Sequence, residues 1–168
     1  MTVPTLVVFA GLPGSGKTTL ARTLADRLGA TFLRVDSVDA AMTRWGFDVS
    51  ESPVAYAVGH AIASDQLRSA RDVVVDAVNP IAEARDGWAQ LAAEHRARLR
   101  FIEVVCSDAE EHRRRVEARR PDLDGYPVPS WTAVRAHRYD PWDGDRLIVD
   151  NIGDPEGHRD VIERYVAS

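Results

Sequence analysis

The 168 residues carry 26 Asp+Glu against 21 Lys+Arg, a formal net charge of -5, and 45% of them are hydrophobic. This is the composition of one ordinary globular domain with a continuous core, and its acidity counts against a broad nucleic-acid footprint. No stretch approaches the roughly 18 apolar residues of a membrane-spanning helix, and the lone cysteine, Cys106, excludes an intramolecular disulfide framework and fits a reducing cytoplasm.

Residues 5–10 (TLVVFA) form a short apolar run, the pattern of a parallel strand covered on both faces. A glycine-rich turn follows, and residues 17–28 place Leu20, Ala21, Leu24, Ala25 and Leu28 at helical spacing before Gly29 stops the helix. Residues 31–35 read as a second strand ending at Asp36, with a helix over 37–45. After Pro53 a long helix is predicted over 54–71, with Val54, Ala57, Val58, Ala61 and Ile62 on its apolar stripe. A third strand (73–76, VVVD), a helix (81–98), a fourth strand (99–106) and a charged helix (108–119) capped by Asp108 come next. Cys106 ends the fourth strand's apolar run and reads as a buried small hydrophobe. The segment 121–129 (PDLDGYPVP) is turn-rich, and a short helix (131–137), a last strand (146–150) and a closing helix from about 155 complete the chain. Alternating strands and helices predict an α/β, doubly wound, five-stranded parallel sheet between two helical layers, one domain over 1–168. No repeat or linker divides it.

Twenty of the 21 basic residues are arginines; the single lysine is Lys17. It ends Gly11-Leu12-Pro13-Gly14-Ser15-Gly16-Lys17-Thr18, which fits G-x-x-x-x-G-K-[ST] at every fixed position. The turn follows a predicted strand and opens a predicted helix, where backbone N–H groups and the helix N-terminus together favour a phosphate anion. A planar guanidinium substitutes poorly for the compact ammonium at the β- and γ-phosphates. The loop through Thr19 therefore reads as a site for ATP or GTP, with Lys17 on the phosphates and the Thr18 hydroxyl on Mg²⁺.

Ligands in open α/β sheets sit beyond the carboxyl ends of the strands. Asp36, at the end of the second strand, is placed to accept a proton from a substrate hydroxyl as general base, or else to cap the next helix. Asp39, one turn on, reads as a surface carboxylate. Asp76 ends the apolar VVVD strand and is a candidate for Mg²⁺; Asn79-Pro80 is a candidate substrate contact. Arg113, Arg114, Arg115, Arg119 and Arg120 precede the turn-rich stretch, suggesting a lid over roughly 113–138 whose Arg119 or Arg120 neutralises the transferring phosphoryl group. The five histidines show no metal-ligand spacing. Trp131, Tyr139 and Trp142 read as packing groups by default, with stacking on a base or substrate as the alternative.

With these residues in place, the chain resembles the small P-loop kinases, the group of gluconate and shikimate kinases, polynucleotide kinase domains, zeta toxins and chloramphenicol phosphotransferases. The segment Val35-Asp36-Ser37-Val38-Asp39 is similar to the chloramphenicol phosphotransferase stretch after the second strand, where an Asp followed by Ser is taken as the base. The resemblance implies ATP with Mg²⁺ and phosphoryl transfer to a small-molecule hydroxyl in a cytoplasmic monomer or homodimer. A polynucleotide 5′-hydroxyl kinase and a P-loop ATPase or nucleotide switch are the alternatives. Polynucleotide kinases carry an arginine three residues after the catalytic Asp, where this chain has Asp39. A guanine-reading Asn-Lys-x-Asp motif needs a second lysine, and Asp76-Ala77 lacks the paired acid of ATPase modules.

Overall fold

The computed structural model describes residues 3–49, 52–153 and 155–168. Strand β1 (Thr5–Ala10) is buried along its whole length, as an apolar strand covered on both faces must be. It lies at the centre of a five-stranded sheet of order β2-β3-β1-β4-β5, with β2 (Thr31–Arg34), β3 (Val73–Asp76), β4 (Arg98–Val105) and β5 (Leu147–Asp150), every pairing parallel.

Successive side chains of a strand point to opposite faces, and β1 divides its residues accordingly. Leu6 and Val8 join a core containing Ala55, Ala63, Leu67, Trp88 and Leu91, beneath helices α3 (Val54–Arg68) and α4 (Ala82–Glu94). Val7 and Phe9 join a second core with Leu20, Leu24, Ile162 and Val166, from α1 (Lys17–Leu28) and α7 (Pro155–Ala167). The predicted three-layer, doubly wound α/β architecture is the observed one. Helices α2 (Val35–Arg44), α5 (Ala109–Ala118) and α6 (Trp131–Ala136) follow the carboxyl ends of β2 and β4, where the loops converge. Asp108 caps α5 as expected, accepting from the N–H groups of Glu110 and Glu111.

Three expectations needed correction. Strand β2 stops at Arg34 and the helix begins at Val35, so Asp36 lies in the first turn of α2 rather than at a strand end. A carboxylate there meets the positive pole of the helix. The predicted helix over 81–98 ends at Glu94, because Arg96 turns the chain at φ 52 and hands it to β4. On α3 the buried residues are Ala55, Gly59, Ala63 and Leu67, whereas Val54, Val58 and Ile62 of the predicted stripe are exposed. The smaller face wins because it lets the helix sit close: a Cβ at Gly59 would stand 3.3 Å from Leu33 and 3.4 Å from Trp88.

Trp88 is fully buried and donates its Nε1–H to Asn79 Oδ1 at 2.9 Å. Trp88→Ala is expected to cost about 3–5 kcal/mol in denaturant unfolding. Trp88→Phe, which preserves most of the packing but leaves Asn79 Oδ1 without its donor, should cost about 1–3 kcal/mol.

Candidate active site

The turn between β1 and α1 is shaped for a polyphosphate. A Cβ on Gly11 (φ 138) would stand 2.2 Å from the Val104 carbonyl oxygen, and one on Gly16 (φ 90) 2.1 Å from Asn151 Nδ2, so both positions require glycine. Among the described residues no carbonyl accepts from the N–H groups of Gly14, Gly16, Lys17 or Thr18, the donors that a helix N-terminus leaves for an anion. Lys17 is buried at 5% exposure, and no carboxylate among the described residues pairs with it. The Ser15 hydroxyl is likewise buried without a partner.

Three residues to which the sequence reading gave no such role hold this turn in place. His112 Nε2 lies 2.8 Å from the Pro13 carbonyl oxygen, which can only accept, so Nε2 carries the proton. Asn151, just after β5, donates from Nδ2 to the Ser15 carbonyl at 2.8 Å, and Arg115 Nη1 donates to the Asn151 carbonyl at 2.8 Å. These contacts span 99, 136 and 36 positions of sequence, so no local pattern announces them.

Opposite the turn, one guanidinium collects the carboxylates. Arg34 and Asp76 are register partners on β2 and β3, and Arg34 Nε lies 3.7 Å from Asp76 Oδ2. The Arg34 side chain is 5% exposed; its Nη2 is 4.0 Å from Asp36 Oδ2 and its Nη1 2.6 Å from Asp122 Oδ2. Arg119 Nη2 donates to the other Asp122 oxygen at 3.3 Å. Hydrogen bonds from Arg34, reinforced by Arg119, hold the Asp122 carboxyl down to about 2, so this link persists through the neutral range. Asp76 is 2% exposed and neither of its oxygens accepts a hydrogen bond.

Asp36, Arg119 and Asp122 line a cavity of about 310 Å³ with Pro13 of the glycine turn, Tyr126 and His137. Asp39, expected at the surface, is instead half-buried with Oδ1 unpartnered. Burial, and then the neighbouring Asp36, push its carboxyl up to about 6. The same two carboxylates help burial to raise the phenols of Tyr56 and Tyr126, the latter to about 12, which places all four groups in one cluster.

Lys17, Asp36 and Asp76 thus gather at the carboxyl ends of β1, β2 and β3, together with Arg119. Arg120 is exposed and does not line this cavity. Arg113 and Arg114 are spent on Glu117 and Glu111 at the surface. Asn79, expected to reach substrate, is fully buried, donating to the Phe9 carbonyl and accepting from Trp88, so it braces the chain after β3. Trp131 packs edge-on against His112, and Trp142 against Phe101. Cys106 is half-buried beside the turn, and burial raises its thiol, which disfavours a thiolate nucleophile.

The family model described as an AAA domain matches residues 6–138. The fold is shared with solved structures over nearly their full lengths. APE1195 is 26% identical, with 99% of this chain and 97% of that chain covered and a TM-score of 0.78. The APS kinase CysC of Mycobacterium tuberculosis, solved with AMPPNP and APS, is 19% identical over 97% and 98%, with a TM-score of 0.70. Kti12 of Chaetomium thermophilum, solved with ADP-AlF3, is 21% identical over 97% and 100%, with a TM-score of 0.68. No curated protein matches the chain. The overlap with these chains is the fold that the resemblance to small P-loop kinases implied.

Two outcomes follow from the charges. A folded-state carboxyl raised above its unfolded value near 3.8 favours the native state at low pH, an advantage lost as pH rises through about 6. Asp39→Asn is therefore expected to raise Tm at pH 7 and to flatten the pH dependence of stability between about 4 and 6, read by thermal unfolding. Asp122→Asn removes the charge that ties residues 119–130 to Arg34, and should speed amide hydrogen exchange in that segment severalfold while leaving exchange in β1 and β3 unchanged.

Proposed function

We propose that the chain, which belongs to the AAA domain family, moves the γ-phosphoryl group of ATP to a hydroxyl of a small molecule. One observation carries this reading: a single cavity is walled by Pro13 of the glycine turn, by Asp36 and by Arg119, so a phosphate donor held by the adjoining turn, a proton acceptor and a charge neutraliser can meet in one place.

In this reading the N–H groups of Gly14, Gly16, Lys17 and Thr18 and the Lys17 ammonium bind the β- and γ-phosphates. Asp36 accepts the hydroxyl proton while the acceptor oxygen bonds to the γ-phosphorus. The bond from that phosphorus to the β–γ bridging oxygen breaks, and ADP leaves. Arg119 balances charge on the phosphoryl oxygens in transit. Residues 113–138 act as the lid that excludes water, which would otherwise take the acceptor's place.

The residues fit a magnesium ion as well. The buried Asp76 carboxylate, with two oxygens that accept no hydrogen bond, and the Thr18 hydroxyl would hold it. When bound, the ion supplies further neutralisation of the β- and γ-oxygens. That the APS kinase and Kti12 structures hold AMPPNP and ADP-AlF3 supports an adenine nucleotide here. Asp39 in place of an arginine, and a net charge of -5, weigh against a polynucleotide end as acceptor. No helix among the described residues is long and apolar enough to cross a membrane.

Lys17→Ala is expected to abolish nucleotide-dependent turnover; phosphoryl transfer at the wild-type rate would refute the site. Asp36→Asn should keep ATP affinity and lower kcat by about 10²–10⁴, with an unchanged kcat reducing Asp36 to a helix-terminal carboxylate. A screen of hydroxyl-bearing metabolites and antibiotics for the mass gain of one phosphate identifies the acceptor.

A further inference from the structure

The cavity at Asp36 has a larger neighbour. Between the first turns of α3 and α4 lies a space of about 430 Å³, walled by Pro53, Tyr56, Ala57, Pro80, Ile81 and Ala84. Its volume lies in the range of small-ligand sites, which are mostly apolar with a few fixed polar groups. Here those groups come from Ser52, His60 and Glu83, and neither lysine nor arginine lines the space. A phosphate or carboxylate entering it would meet the like charge of the exposed Glu83, with no cation among the lining residues to offset it.

His60 suits a neutral guest. Burial lowers its pKa, favouring the uncharged ring. The ring stands edge-on to Trp88 with centroids 4.1 Å apart, and fits only because position 87 is glycine, where a Cβ would be 2.7 Å from Cε1.

The space also adjoins the reacting groups. Val78 lines the Asp36 cavity and Pro80 lines this one, with buried Asn79 between them. Tyr56 belongs to both neighbourhoods: its ring walls the apolar space, its hydroxyl accepts the Asn79 N–H at 3.0 Å, and it feels both Asp36 and Asp39.

We propose that this space receives the apolar body of the acceptor while the acceptor's hydroxyl is presented to Asp36, making the substrate class a neutral alcohol with a compact apolar or aromatic group rather than a phosphorylated or acidic sugar. The proposal rests on the phosphoryl-transfer reading above for the fate of the hydroxyl, and on the cavity alone for the binding preference.

The two are separated by titrating the AMPPNP-saturated protein with glycerol and with its phenyl ether in a calorimeter, alongside a mass assay for phosphorylated product with ATP. The phenyl ether is expected to bind at least about tenfold tighter than glycerol, from the ring area it buries. Ala84→Phe and Ala57→Phe, which fill the space from opposite walls, should each erase that difference and leave AMPPNP affinity unchanged. Equal binding of the two alcohols, or a preference that survives in both variants, overturns the proposal. A preference that behaves as expected without phosphorylation of either alcohol upholds the cavity assignment and removes the transfer reading. Phosphorylation of both alcohols with no binding preference does the reverse.

Discussion

A cation withdrawn from water needs an anion to replace its hydration, and Lys17 has none within the described fold. Most of what surrounds it follows from that imbalance. The glycines of the turn free amides that point the same positive way, the N-terminus of α1 adds its partial charge, and Ser15 contributes a buried hydroxyl without a partner. An arrangement of this kind is held against its own repulsion by the scaffold. The hydrogen bonds from His112 to Pro13 and from Asn151 to Ser15 supply that restraint, and Arg115 in turn fixes Asn151. The turn is shaped in advance for a polyphosphate rather than moulded by one.

The second buried cation presents the opposite case. Arg34 is oversupplied, with Asp76 beside it in the sheet, Asp36 just beyond the strand end and Asp122 reaching in from the segment proposed as a lid. Two of these carboxylates are the proposed base and the proposed metal ligand. The position of the proposed lid is thus linked electrostatically to the two groups that would do the work. Lys17 lies beyond the carboxyl end of the central strand β1 and Arg34 at the carboxyl end of the edge strand β2, with β3 between them, on the side of the sheet where ligands of open α/β folds sit.

The local parts of this picture were legible before any coordinates. Apolar runs gave the strands, the glycine turn with its lone lysine marked the proposed phosphate site, and Asp108 announced α5 by its spacing. What was not legible is non-local. Arg34 looked like an ordinary strand residue because its three carboxylates come from a helix, a neighbouring strand and the segment after α5. Asn151 and His112 had no signature at all. The face of α3 was misjudged for a different reason. Hydrophobicity favoured the stripe of Val54, Val58 and Ile62, but packing distance selected the smaller side through Gly59, whose lack of a side chain admits Leu33 and Trp88. Asn79 was given to substrate because polar residues after strands often serve ligands, and the indole that claims it could not be foreseen from composition.

The scarcity of lysine has a chemical corollary. Reagents that acylate or alkylate amines find, among the side chains of these 168 residues, one ε-amino group, and it lies at the bottom of the glycine turn behind 95% of its surface. Conjugation through lysine would therefore report on occupancy of that turn instead of decorating the exterior. An enzyme that tags these residues through a lysine isopeptide bond would have to disable the turn to mark them.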